Sequence, residues 1–228
     1  EPINFNITIN PDAQVNEIDD LVYNDGDLVQ IPFSSSNSGG TTTYEWTSTD
    51  PSTGMESSGS GNIEFIATNT GNSPIVTTVS VTPTFENGGI NNTGNQETFT
   101  VTVNPAPQVE LIQNSITCAG DEVADINFST LNTGGITTYE WTNNNTAIGL
   151  AANGVGDIPS FVVVGSSVVS EIAIIEVTPT YDFNGVTCTG NPETFTVTVN
   201  PGAQVDSVAG QVLCVGESTD EILFTTSN

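Results

Sequence analysis

The chain has 228 residues and contains no lysine, no arginine and no histidine, against 27 aspartates and glutamates. A basic groove for nucleic acid and electrostatic docking on anionic lipid are both excluded by that composition. Side-chain salt bridges cannot form, nor can lysine–asparagine isopeptide cross-links. Without histidine or lysine, serine and threonine lack their usual general base, so Ser-His-Asp and Ser-Lys catalysis are ruled out. A phosphate-binding loop is missing for want of its lysine. No run reaches the roughly 18 apolar residues that cross a bilayer, and no signal-peptide pattern opens the chain. Helical periodicity is lacking throughout. The net charge of −27 suits solubility and mutual repulsion between copies, and denies cleavage sites to trypsin-like proteases.

What is present is one strand written three times. Glu97-Thr98-Phe99-Thr100-Val101-Thr102-Val103-Asn104-Pro105 recurs as Glu193 to Pro201, and a looser copy runs from Ile3 to Pro11. Apolar and polar residues alternate in each copy, the period of a half-buried β-strand, and Thr and Val suit a pleated surface. The closing Asn-Pro withholds a backbone donor and ends the pairing. The Asn-Pro steps lie 94 and 96 residues apart (104 − 10 and 200 − 104), a period of domain-sized modules. Residues 1–10 read as the last strand of a preceding module, 11–104 as one module, 105–200 as a second, and 201–228 as the start of a third. The chain therefore reads as an excerpt of a longer array. Almost no linker separates the modules, which predicts a semi-stiff rod.

Inside each module the same landmarks return. Leu28 to Phe33 reads as an early strand, matched by Asp125 to Phe128 and Ile222 to Phe224. Thr43-Tyr44-Glu45-Trp46-Thr47 matches Thr138-Tyr139-Glu140-Trp141-Thr142. Tyr and Trp, two apart, face one side, so Tyr44, Trp46, Tyr139 and Trp141 are assigned to the core while Glu45 and Glu140 face solvent. Val79 to Phe85 and Ile175 to Tyr181 form a further strand whose proline suggests an edge or a strand end. Six or seven short strands per module predict an all-β chain of tandem immunoglobulin-like β-sandwiches with Greek-key connections.

Aligning the modules places Cys118 opposite Asn24 and Cys188 opposite Asn92, and Cys214 repeats the Cys118 position. Loss of both cysteines together in the first module predicts a Cys118–Cys188 disulfide, with the partner of Cys214 past residue 228. Such a bond closes a 70-residue loop (188 − 118), worth about 4 kcal/mol by chain entropy, and places the protein outside the cytoplasm. Asp25 and Asp27, in Asn24-Asp25-Gly26-Asp27, are a candidate calcium pair. Asn91 and Asn144 head Asn-x-Thr sequons, and Asp206-Ser207-Val208 resembles a bacterial O-glycosylation motif centred on Ser207.

The combination of Thr-Tyr-Glu-Trp-Thr, Val-Thr-Pro-Thr-Tyr and Cys-Thr-Gly-Asn-Pro-Glu-Thr-Phe-Thr-Val-Thr-Val-Asn-Pro resembles the PKD-like repeats of large Bacteroidota surface proteins, such as the SprB-like gliding-motility adhesins exported by type IX secretion. The resemblance covers essentially the whole chain. It implies an immunoglobulin-like sandwich, a cell-surface location, and a role in adhesion or as a filament stalk. Expected partners are neighbouring modules of the same chain, laterally associated copies, and a polysaccharide or other surface ligand. The competing expectation is an extracellular carbohydrate- or calcium-binding module.

Overall fold

The computed structural model describes residues 3–166 and 168–226. The first repeat supplies β1 (Leu21–Asn24), β2 (Leu28–Ile31), β3 (Thr41–Ser48), β4 (Ser58–Ser60), β5 (Ile63–Ile66), β6 (Ile75–Asn87), β7 (Ile90–Thr93) and β8 (Glu97–Asn104). The second supplies β9 (Ser115–Cys118), β10 (Glu122–Val123), β11 (Ile136–Asn143), β12 (Asn153–Val155), β13 (Phe161–Val162), β14 (Glu171–Phe183), β15 (Val186–Thr189) and β16 (Glu193–Asn200). The chain is all-β, a tandem pair of immunoglobulin-like sandwiches. The only helical pieces in the described residues are single 3-10 turns at Pro51–Thr53 and Thr146–Ile148.

By proximity the chain divides into two compact units. One comprises Glu1–Pro107 with Leu131–Thr137 and Thr180–Gly190; the other comprises Gln108–Thr130, Thr138–Pro179 and Asn191–Asn228. The β15 hairpin of the second repeat thus falls in the first unit.

In the first repeat the large sheet has the order β1-β8-β6-β3-β4, with β7 beside the far end of β6, and the small sheet is β2-β5. The second repeat follows the same plan, β12-β11-β14-β16-β9 with β15 on β14, facing β10-β13. Alternation dictates which side chains meet. Phe99, Val101 and Val103 of β8 join Val79 and Val81 of β6, and Val29, Ile31 and Ile63 cover them from the small sheet. Phe195, Val197 and Val199 do the same beside Ala173, Ile175 and Val177. Burying side chains of this size stabilises by roughly 1.5–3 kcal/mol each before entropy is counted.

β1 lies parallel to β8, with Leu21 opposite Val101 and Asn24 opposite Asn104. The chain then changes sheet within the turn before β2, so the first and last strands of the large sheet are neighbours. β9 pairs with β16 in the same way, Cys118 opposite Asn200.

Four expectations need correction. Pro83 is neither at an edge nor at a strand end: it sits inside β6, opposite Tyr44 of β3. Its other side faces the gap between the end of β7 at Thr93 and the start of β8 at Glu97. There Gly94 donates its N–H to the Pro83 carbonyl at 3.0 Å, and no strand residue waits for the donor that proline lacks. The early strand of the second repeat is shorter than expected: after β10 only a single bridge joins Ile126 to Ile158. Val123 to Phe128 is one residue longer than Val29 to Phe33, and in the extra length Asp125 accepts the Ser160 N–H at 2.6 Å. Residues 3–10 pair with no strand among the described residues, and Phe5, Ile7 and Ile9 are 78%, 75% and 87% exposed. Ile222 to Phe224 likewise forms no strand, because a lone segment has neither a ladder nor a facing sheet to bury its apolar side.

Candidate functional site

Trp46 and Trp141 are buried, and Tyr44 and Tyr139 are half-buried against the same cores. Each tyrosine leans on a phenylalanine from the early segment, Phe33 or Phe128, with ring centroids 5.5 Å apart in both repeats. One face of each indole is covered by a glycine, Gly59 of β4 or Gly154 of β12. The four aromatics therefore pack into the two cores. Both indole N–H groups are buried without a hydrogen-bond partner.

The most organised polar structure is the turn between β1 and β2. Asp27 accepts the Asn24 N–H on Oδ2 at 2.7 Å and returns its own N–H to the Asn24 carbonyl at 3.1 Å. Gly26, at φ 87°, donates to the Ala67 carbonyl at 2.8 Å, a conformation that glycine adopts without penalty. Asp25 Oδ1 accepts the Asn69 N–H at 2.7 Å. Buried Asn69 in turn donates to the Ser73 and Val103 carbonyls, tying the turn to β8.

The turn recurs with different residues. Asp121 accepts the Cys118 N–H at 3.2 Å, with Gly120 at φ 95°. Glu217 accepts the Cys214 N–H at 2.9 Å, with Gly216 at φ 98°. The signal in the sequence is Asn or Cys, any residue, Gly, then Asp or Glu, repeated three times. Asp27 is thus the acid that closes this turn, and Asp25 holds the loop that follows β5. No group of three or more His, Cys, Asp or Glu residues able to hold a metal occurs among the described residues.

Cys118, Cys188 and Cys214 are free thiols, and the predicted Cys118–Cys188 bond is not formed. The strand register gives the reason. Cys188 lies opposite Tyr181 on β14, whereas Cys118 lies opposite Asn200, one residue beyond the Val199–Glu171 pair. Ten residues of one strand separate Glu171 from Tyr181, roughly 33 Å at the usual rise per residue. A disulfide needs α-carbons within about 7 Å. The first repeat has the same layout, with Asn24 opposite Asn104 and Asn92 opposite Phe85.

Asn91 and Ser207 are exposed, as sequons must be, and Asn144 is exposed while its Oδ1 accepts the Ile174 N–H at 2.8 Å. No helix among the described residues is long and apolar enough to cross a membrane.

No protein-family model matches this chain, and no curated protein matches it. Among solved structures, human protocadherin-24 EC1-2 is similar over 86% of this chain and 100% of that one, at 13% identity and TM-score 0.39. The insect immune protein hemolin is similar over 82% of this chain and 46% of its own, at 16% identity and TM-score 0.34. A SusE-like surface-located polysaccharide-binding protein from the heparin utilisation locus of Bacteroides thetaiotaomicron is similar over 82% of this chain and 34% of its own, at 12% identity and TM-score 0.30.

Proposed function

We propose that this chain is a structural repeat segment of an extracellular bacterial surface adhesin or filament stalk, serving cell adhesion or gliding motility, and carrying no catalytic activity. The observation that supports this most is the direct run from one repeat into the next. β8 ends at Asn104 and β16 at Asn200, each followed at once by proline, and Val109 and Ile112 of the segment before β9 already pack against the second core. Repeating a sandwich without slack builds length, which is what a stalk needs. A surface of one charge sign keeps copies apart at low salt, so lateral association into a filament would need screening.

The alternative, a carbohydrate-binding module, loses its natural platform because Trp46 and Trp141 are buried. Small-angle scattering on the chain tests the reading. A stalk segment gives the cross-section of a single sandwich and a maximum dimension that grows in proportion when the two-repeat segment is duplicated. An unchanged maximum dimension on duplication, or saturable binding to a polysaccharide panel, would replace the stalk with a compact ligand-binding module.

A further inference from the structure

The turn after β1 and the hairpin β14–β15 lie together within the first compact unit. Asn24 donates its Nδ2–H to the Thr187 carbonyl at 3.2 Å, and its Oδ1 accepts from buried Asn104 at 3.1 Å. The next residue along that hairpin is Cys188, whose Sγ stands 3.8 Å from the carbonyl oxygen of Pro105. Two side chains, from Asn24 and from Cys188, thus converge on the Asn104–Pro105 step from two segments far apart in sequence. Asn24 is the position that carries cysteine in both later repeats, as Cys118 and Cys214. The structural equivalence is supported by strand register and by the recurring turn, not by alignment alone.

We infer that the cysteines of this array form disulfides between consecutive repeats, joining the β1–β2 turn of one repeat to the β7-type hairpin of the repeat that follows. In this chain Asn24 stands where the partner of Cys188 belongs, which leaves Cys188 single. Cys118 and Cys214 each await the hairpin cysteine of a following repeat. Within one repeat the turn cysteine and the hairpin cysteine are half-sites of two different bonds. Each bond forms by thiol–disulfide exchange. A small-molecule disulfide such as oxidised glutathione accepts two electrons, the two thiols release two protons, and one S–S bond is made as another is broken. Burial, then the carboxylates of Asp27 and Asp25, push the Cys188 thiol above its ordinary value, so exchange should be slow at neutral pH and faster in mild alkali.

The test is Asn24→Cys in the full chain, incubated in a glutathione redox buffer and digested with a Glu-specific protease, since trypsin has no site. Positions 24, 118, 188 and 214 fall on four separate Glu-bounded peptides. The expected result is a dominant 24–188 cross-linked peptide by mass spectrometry, absent from the Asn24→Cys, Cys188→Ser control and absent after reduction. Near-ultraviolet circular dichroism of the reduced variant checks that it is folded. A folded variant with no 24–188 link would overturn the inference, as would a 118–188 link in the unsubstituted chain.

Discussion

Gly59 of β4 lies flat against the indole of Trp46, so close that a β-carbon there would stand 2.3 Å from Trp46 Cζ2. Gly154 holds the same relation to Trp141, at the same 2.3 Å. A ring that fills the end of the core is capped by backbone alone. Replacing either glycine with alanine must push the indole off its seat, and overpacking of this kind costs about 1–3 kcal/mol. Gly59→Ala should lower the melting temperature and shift tryptophan emission to the red. An unchanged melting temperature with unchanged emission would show that the contact is slack.

Two carboxylates of the first repeat have amide counterparts in the second. Asp20 accepts the Thr100 N–H at 2.7 Å where Asn114 accepts the Thr196 N–H at 2.8 Å. Asp50 accepts from Ser52 where Asn145 accepts from Ala147. The backbone N–H of Thr100 holds the Asp20 carboxyl below its ordinary value, and the hydroxyl and N–H of Ser52 do so for Asp50. A lowered folded-state value stabilises at pH above the unfolded value of 3.8 and is lost as pH falls through the lowered one. The double variant Asp20→Asn, Asp50→Asn should therefore lose melting temperature less steeply between pH 5 and 2 than the parent does. Parallel pH profiles would contradict this.

Asp27 closes a turn, so its carboxylate matters whether or not calcium is present. Asp27→Ala leaves the Asn24 N–H without its acceptor and should cost about 1 kcal/mol. The parent should melt at the same temperature in millimolar calcium and in chelator. A rise with calcium that vanishes in Asp27→Ala would make the turn a cation site after all.

Asn69 is nearly sealed from solvent, with its amide donating to Ser73 and Val103 at 2.8 and 2.7 Å. Removing the amide in Asn69→Ala strands both carbonyls, a loss of about 1–3 kcal/mol. Hydrogen exchange should speed up first in the β1–β2 turn and at the end of β8, before the centre of β6.

The strands that build each core could be read from the alternation in Glu97 to Asn104 and Glu193 to Asn200, and the tryptophans from their spacing to tyrosine. Local periodicity decides those, because a strand with one wet face has little choice. The glycines over the indoles were hidden in a polar stretch, since close approach of a backbone leaves no hydrophobic trace. For Asp27 the sequence allows two readings, a calcium ligand or the acid of a polar turn, because acid-Gly-acid composition is shared by metal loops and by turns that cap themselves. The error over the cysteines has a different source. Alignment reports which positions correspond between repeats, but only register shows that Cys118 and Cys188 mark opposite ends of the same sheet.

The parallel pairing of β1 with β8 has a mechanical meaning. Tension on a chain of such repeats pulls β1 towards the N-terminus and β8 towards the C-terminus. In a parallel pair these pulls run along the strands in opposite senses. The hydrogen bonds between Leu21–Asn24 and Val101–Asn104 are then loaded together in shear, rather than peeled apart one after another. Four residue pairs placed this way resist as a clamp.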